Sequence, residues 1–169
     1  MSMVDILKNH TPKENPEFGQ KKKLVGDAVC QVASLDKITA KSGAQWIVLK
    51  TNAIHPIPDA KGRETTVEAG DEITKLYDPK DEESLGELDD DLFTAGIEYD
   101  KNAETEEALI ASMSAAAKDK LIYFRTWAKD KTDEQKAKSK PGSAPFFQNI
   151  VIKSKNLITP ENSVPELPF

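Results

Sequence analysis

The sequence predicts a mainly β protein of the α+β class, in which five strands form a small barrel and two acidic helices are inserted after the third strand. Apolar and polar residues alternate with a period of two on both sides of the middle of the chain, which is typical of strands. The middle repeats its apolar residues at helical spacing. The chain has 169 residues, 38% of them hydrophobic, which is enough for one domain with one core.

Five segments have the features of strands: residues 24–35, 44–54, part of 65–77, 120–128 and 146–153. The first two are predicted to form a hairpin across a polar loop at 36–43, which ends in Ser42-Gly43. Residues 55–62 contain Pro56 and Pro58 and are predicted to be a loop, because proline cannot donate to a strand ladder. The third strand is expected to break near Gly70.

Two helices are predicted between the third and fourth strands, in an insertion of about residues 80–118. Residues 81–95 carry Leu85, Leu88 and Leu92 at helical spacing after an acidic first turn. Residues 104–118 carry a second, alanine-rich repeat. Residues 129–145 are predicted to be a polar loop with five lysines, and 159–169, with three prolines, an irregular tail.

The order of three strands, helices and two strands is that of the OB-fold, a five-stranded Greek-key barrel that binds oligonucleotides. We therefore expect an OB-like domain over residues 24–155. It would be preceded by a flexible basic arm at 1–23, either a simple terminus or a DNA-touching segment, and followed by a tail at 156–169.

Charge is distributed unevenly along the chain, although the formal net charge is −6. Residues 1–63 and residues 108–169 each hold 10 Lys and Arg against 6 Asp and Glu, whereas residues 64–107 hold 3 against 17. If the two basic segments meet in the fold, an acidic protein can present a basic face.

Several classes of protein are disfavoured. No apolar run approaches the roughly 18–20 residues of a membrane span, and the N-terminus lacks the apolar region of a secretory signal. The single cysteine, Cys30, excludes an intrachain disulfide, which agrees with a reducing cytoplasm. No nucleotide-binding or catalytic motif is visible, so we expect no enzyme activity, cofactor or metal.

Residues 120–129 have two different faces. One is mostly apolar and suits a core: Ile122, Phe124, Thr126 and Ala128. The other interleaves aromatic rings with cations: Leu121, Tyr123, Arg125, Trp127 and Lys129. Rings can stack on bases, at about 1–3 kcal/mol per base, and cations can meet the phosphates between them. The alternative is that Trp127 covers the edge of the core beneath the helices.

The second strand repeats this design. It places Ile47, Leu49, Thr51 and Ala53 inward and Trp46, Val48, Lys50 and Asn52 outward. Lys37 and Lys41 lie in the first predicted loop, and the lysines after Ala128 lie in the last. In an OB-fold these two loops flank the binding face, where lysines can contact phosphates. The alternatives are that Trp46 packs against the helices and that the lysines only favour solubility.

The chain ends in Glu166-Leu167-Pro168-Phe169. This ending resembles the tails of bacterial and phage single-stranded DNA-binding proteins, which finish in a hydrophobic-Pro-Phe triplet. Residues 24–155 also resemble OB-fold proteins of this class, through Lys41-Ser42-Gly43 leading into Trp46-Ile47-Val48-Leu49, and through Tyr123-Phe124-Arg125. The tail here is only weakly acidic.

The resemblance implies sequence-independent binding of single-stranded DNA in replication, recombination or repair. Trp46, Tyr123 and Trp127 would stack on bases, and Lys37, Lys41, Lys50, Arg125 and Lys129 would contact phosphates. The tail residues Leu167, Pro168 and Phe169 would recruit replication and repair proteins.

Two other functions stay open. The acidic helices predict, as an alternative, a protein-interaction or virion assembly module that binds a basic partner without nucleic acid. Asp89-Asp90-Asp91 also allows a metal-dependent hydrolase, but adjacent residues on a helix point in different directions and rarely converge on one ion.

Overall fold

The computed structural model describes residues 22–139 and 144–165. The predicted basic arm, apart from its last two residues, lies outside this part of the chain. So does the predicted docking triplet of Leu167, Pro168 and Phe169.

Five strands form one antiparallel sheet: β1 Gly26–Thr39, β2 Gln45–Ile57, β3 Glu72–Tyr77, β4 Leu121–Asp130 and β5 Phe146–Lys153. Their order across the sheet is β3-β2-β1-β4-β5. Because β4 returns to lie beside β1, the first four strands form a Greek key. Within the described residues β3 and β5 are the two edges, so the sheet is open. The mainly β class with a helical insertion is confirmed, and the closed barrel is not.

The helical insertion is confirmed as α1 Glu82–Thr94 and α2 Glu106–Ala117. Each helix begins after a side-chain cap: Asp81 accepts a hydrogen bond from the amide of Glu83, and Thr105 accepts one from the amide of Ala108. Helix α1 contacts both edge strands, β3 and β5, and α2 contacts β1. None of the helices in the described part of the chain has the length and apolar character needed to cross a bilayer.

Three predicted loops are partly regular structure. Strand β1 continues to Thr39, and β2 continues through Pro56 to Ile57. Beyond Asn52, β3 no longer pairs with β2, so Pro56 lies in a part of β2 with one free edge, where a missing donor is tolerated. The lysine-rich connection contains a third helix, α3 Asp133–Lys138, which begins with a capping box. A short 3-10 helix, Lys155–Leu157, follows β5.

The core lies between the sheet and the two long helices. Seven of the eight residues predicted to face inward on β2 and β4 are buried, and the eighth, Ala128, is half-buried. The buried seven are Ile47, Leu49, Thr51, Ala53, Ile122, Phe124 and Thr126. Val48, predicted to face outward, is fully buried too. Leu88 and Leu92 of α1 and Met113 of α2 pack into the same cluster. Cys30 is buried there too, and this burial raises the pKa of its thiol to about 12. The helices therefore cover one face of the sheet. The opposite face is only partly open to solvent, since Val29 and Val48 lie on it and are fully buried.

Hydrogen bonds between side chains connect α1 to β3. Oδ2 of Asp91 accepts hydrogen bonds from Lys75 Nζ and from Tyr77 Oη, both at 2.6 Å. Tyr77 is fully buried, and burial beside this carboxylate raises the pKa of its hydroxyl, which stays a donor.

The Asp91→Ala substitution is expected to lower the free energy of unfolding by about 1–2 kcal/mol, because it leaves the Tyr77 hydroxyl without its acceptor. Denaturant unfolding would measure the loss. Asp90→Ala is the matched control, since Asp90 is exposed on the same helix and has no partner among the described residues. An equal effect of the two substitutions would contradict this role of Asp91.

Candidate nucleic-acid interface

The solvent face of β4 and β5 presents two exposed aromatic rings. Trp127 is 44% exposed and Phe147 is 45% exposed. In the β4–β5 register, Trp127 lies opposite Asn149, and Phe147 lies opposite Lys129. The two rings are thus diagonal neighbours on adjacent strands, with Cβ atoms about 7–8 Å apart or less. We call this surface the outer β4–β5 face.

The sequence analysis missed Phe147. The pair Phe146-Phe147 could have predicted it. Successive side chains of a strand point to opposite faces, so one of the two rings must lie on the outer face. Phe146 is 9% exposed on the core side, so its neighbour must face solvent.

Three lysines lie on the same face as the two rings. Lys129 lies opposite Phe147, and Nζ of Lys131 lies 5.1 Å from the centroid of the Phe147 ring. Lys153 lies opposite Tyr123 on the same face. Within residues 22–139 and 144–165, none of these three lysines forms an ion pair. The surface therefore combines rings with available positive charge, as the sequence predicts for Trp127 and Lys129.

A groove of about 610 Å³ adjoins this face. Its walls are the start of β1, the outer side of β4 and residues 57–65, which follow the end of β2. Trp127 lines both the groove and the outer β4–β5 face. The cations along the groove are Lys61, Arg63 and Arg125, and the carboxylates are Asp27, Asp59 and Glu64.

Asp27 engages two of the predicted binding residues. Its carboxylate accepts hydrogen bonds from Tyr123 Oη at 2.7 Å, and from Arg125 Nη2 at 3.0 Å and Nε at 3.1 Å. Burial and this hydrogen bond raise the pKa of Tyr123 to about 12, and the carboxylate also raises the pKa of Arg125. Tyr123 is on the predicted side of β4. The expectation that its ring is exposed to solvent is wrong, because the residue is only 6% exposed. Arg125 is half-exposed and already paired.

The structure does not bring Trp46 and Lys50 to this groove. Trp46 pairs with Ile38, which is eleven residues along β1 from the groove residue Asp27. At the rise of a strand this corresponds to roughly 35 Å along the chain. Trp46 is partly exposed at the other end of the sheet, and Lys50, which pairs with Ser34 and Thr74, is partly exposed in the middle of β2.

Lys37 lies within β1 and not in the predicted loop. Its Nζ is 3.0 Å from Oε2 of Glu106, so it joins β1 to the first turn of α2. It has the strand parity of the core residue Leu35, which explains why it reaches the helix side. Lys41 lies in the exposed turn after β1, as predicted.

The three consecutive aspartates of α1 do not converge: Asp89 and Asp91 bond to different partners, and Asp90 is exposed. Asp89 accepts hydrogen bonds from Tyr99 Oη at 2.6 Å and Lys101 Nζ at 2.8 Å, which lower the pKa of its carboxyl. Asp91 bonds to β3. Among the described residues, no three His, Cys, Asp or Glu side chains come together as a metal site.

Comparison with known proteins adds no relative. No model of a known protein family matches the sequence, and no curated protein is significantly similar to it. Function is therefore inferred from the chemistry of the outer β4–β5 face and of the adjoining groove.

Proposed function

We propose that this protein binds single-stranded DNA without sequence preference, in DNA replication, recombination or repair of a phage or bacterium. The observation that supports this best is the pair of exposed rings, Trp127 and Phe147, on adjacent strands, near lysines that form no ion pair with any described residue. Bases of any kind can stack on such rings while the lysines contact the backbone.

The geometry favours single strands over duplex. Stacking on a ring requires an unpaired base with a free face, whereas the bases of a duplex are stacked on each other. The rings lie on a sheet surface, and no described helix presents a basic recognition face to a major groove.

The strand order supports an OB-like barrel as the finer fold. A Greek key with β5 beside β4 lacks only a pairing between the edges β3 and β5 to close, and α1 contacts both of these strands. OB-folds are partly open barrels, so an incomplete closure agrees with this proposal.

The net charge of −6 does not oppose DNA binding. Helices α1 and α2, which carry much of the acidic segment, pack on the core face of the sheet. Their carboxylates are thus separated from the outer β4–β5 face by the sheet itself. A local positive surface can attract a polyanion to a protein of opposite net charge.

The C-terminal tail extends the proposal to partner proteins. Leu167, Pro168 and Phe169 would recruit replication or repair proteins, as the resemblance implies. The described part of the tail reaches β2, where the carbonyl oxygen of Val164 lies 3.2 Å from Nδ1 of His55. The setting we propose is the cytoplasm, or the host cytoplasm for a phage protein, and we propose no catalytic role.

A second candidate function is the binding of a basic protein partner, for example in virion assembly. The observation that favours it is Phe93, which is 85% exposed on the acidic helix α1, with Leu85 also exposed. This function predicts pull-downs that depend on residues 81–107 and no binding of oligonucleotides.

Fluorescence anisotropy with labelled poly-dT, run at two salt concentrations beside the matching duplex, tests the proposed function. We expect tight binding of the single strand at low salt and much weaker binding of the duplex. Absence of binding at low salt would contradict DNA binding and leave the acidic helices as the candidate surface.

A further inference from the structure

The groove beside Trp127 is a site of its own, and stacking on the outer β4–β5 face does not use it. We propose that it holds one nucleotide of the bound strand, with the base against Trp127 and the apolar residues Ile57 and Pro58, and the phosphate at Lys61. This inference rests on the proposed function. It adds the site at which the bound DNA strand leaves the outer β4–β5 face.

The wall formed by residues 57–65 is fixed at both ends. Ile57 pairs with Asp27 in the β1–β2 register. After the connection, the amide of Thr66 donates to the carbonyl of Val25 at 2.8 Å, and the Thr66 hydroxyl accepts from the amide of Val25 at 2.9 Å. A Cβ on Gly26, whose φ is +131°, would lie 3.1 Å from Cβ of Thr65, so this close approach requires glycine.

Hydrogen bonds to Asp59 stabilise a turn within residues 57–65, and Lys61 and Arg63 of this segment line the groove. The Asp59 carboxylate accepts from the amide of Lys61 at 2.8 Å and from Arg63 Nε at 2.6 Å. Its carbonyl accepts from the amide of Gly62 at 2.9 Å, and Gly62 has a φ of +72°, which favours glycine. The bond from Arg63 lowers the pKa of Asp59, so this carboxylate stays ionised at neutral pH.

The charges indicate a site for a nucleotide and not a track for several phosphates. Arg63 is paired with Asp59 and Arg125 with Asp27, so two of the three cations are already neutralised. Lys61 has no ion-pair partner within the described residues and is exposed. One available ammonium suits one phosphate.

The size and the lining suit the base as well. A volume of about 610 Å³ falls within the range of roughly 300–1,000 Å³ typical of small-ligand sites. Val25, Ile57, Pro58 and Ala60 line the groove together with Trp127 and supply apolar surface. The strand would thus pass from Phe147 to Trp127 and then place its next nucleotide in the groove.

Lys61→Glu tests this inference, with Lys80→Glu as the matched control. Both lysines are exposed and have no ion-pair partner among the described residues, but Lys80 lies in the turn before α1. We expect Lys61→Glu to weaken poly-dT binding about tenfold at low salt, and the control to change it less than about twofold. If the wild-type protein binds poly-dT and both variants bind it nearly as tightly, the groove site is overturned and the proposed function stays intact.

Photocrosslinking gives a readout of contact that does not depend on long-range charge. A thio-substituted thymidine oligonucleotide would be crosslinked to the full chain, and the modified tryptic peptides would be mapped. We expect crosslinks in peptide 126–129, which contains Trp127, and in peptide 51–61, which contains Ile57 and Pro58. Crosslinks in the first without the second would overturn the groove site alone, whereas absence of both would overturn the proposed function too.

Discussion

Replacing both Trp127 and Phe147 by alanine is expected to weaken binding of single-stranded DNA by at least about 30-fold. Each stacked base contributes about 1–3 kcal/mol, and about 1.4 kcal/mol corresponds to a factor of ten in affinity. Each single substitution should lose part of this affinity. Both rings are nearly half-exposed, so the fold should survive their removal. Anisotropy titration of labelled poly-dT would measure the loss.

Phe93→Ala is the matched control for the double variant. Phe93 is an exposed aromatic residue at 85%, but it lies on α1 and not on the outer β4–β5 face. It should leave DNA affinity unchanged, and thermal unfolding would verify that each variant is folded. A folded double variant that binds poly-dT as tightly as the wild type would show that the strand lies elsewhere.

DNA affinity is expected to fall about 50-fold when salt rises from 50 to 200 mM. For single strands, the logarithm of the binding constant falls with the logarithm of salt at a slope of about −0.7 per neutralised phosphate, and about four contacts are expected. They are those of Lys61, Lys129, Lys131 and Lys153.

Removing one of these contacts gives an internal check. Lys129→Ala should lower the salt slope by about 0.7–1 and weaken binding of all sequences alike. Titrations at four or more salt concentrations would give the slope. An affinity that does not change with salt would contradict a phosphate-binding role for the lysines.

The inner faces of β2 and β4 could be predicted from sequence because side-chain alternation is local. Ile122 and Phe124 face the core, and Trp127 and Lys129 face solvent, as the period of two requires. The start of α1 was indicated in the same way by its acidic first turn, which is also a local signal.

What could not be predicted depends on pairing between distant parts of the chain. Arg125 and Tyr123 look available in the sequence of β4, but β1 places Asp27 opposite Arg125 in the register. The groove likewise requires residues 57–65 to return to β1. Such contacts join residues about 40–100 positions apart, and the sequence contains no local signal for them.

The extent of β2 was also decided by its neighbours. Proline predicts a break only where both edges of a strand are paired, and β3 is too short to pair with β2 at Pro56. Trp46 therefore lies at one end of a long strand, and the groove lies at the other.

Tryptophan fluorescence of two single-tryptophan variants tests most directly where the DNA strand lies. The chain has two tryptophans, so Trp46→Phe leaves only Trp127, and Trp127→Phe leaves only Trp46. Poly-dT is expected to quench the emission of the Trp46→Phe variant and to leave that of the Trp127→Phe variant nearly unchanged, although both should bind. Quenching of Trp46 alone would contradict the outer β4–β5 face and place the strand on β2 instead.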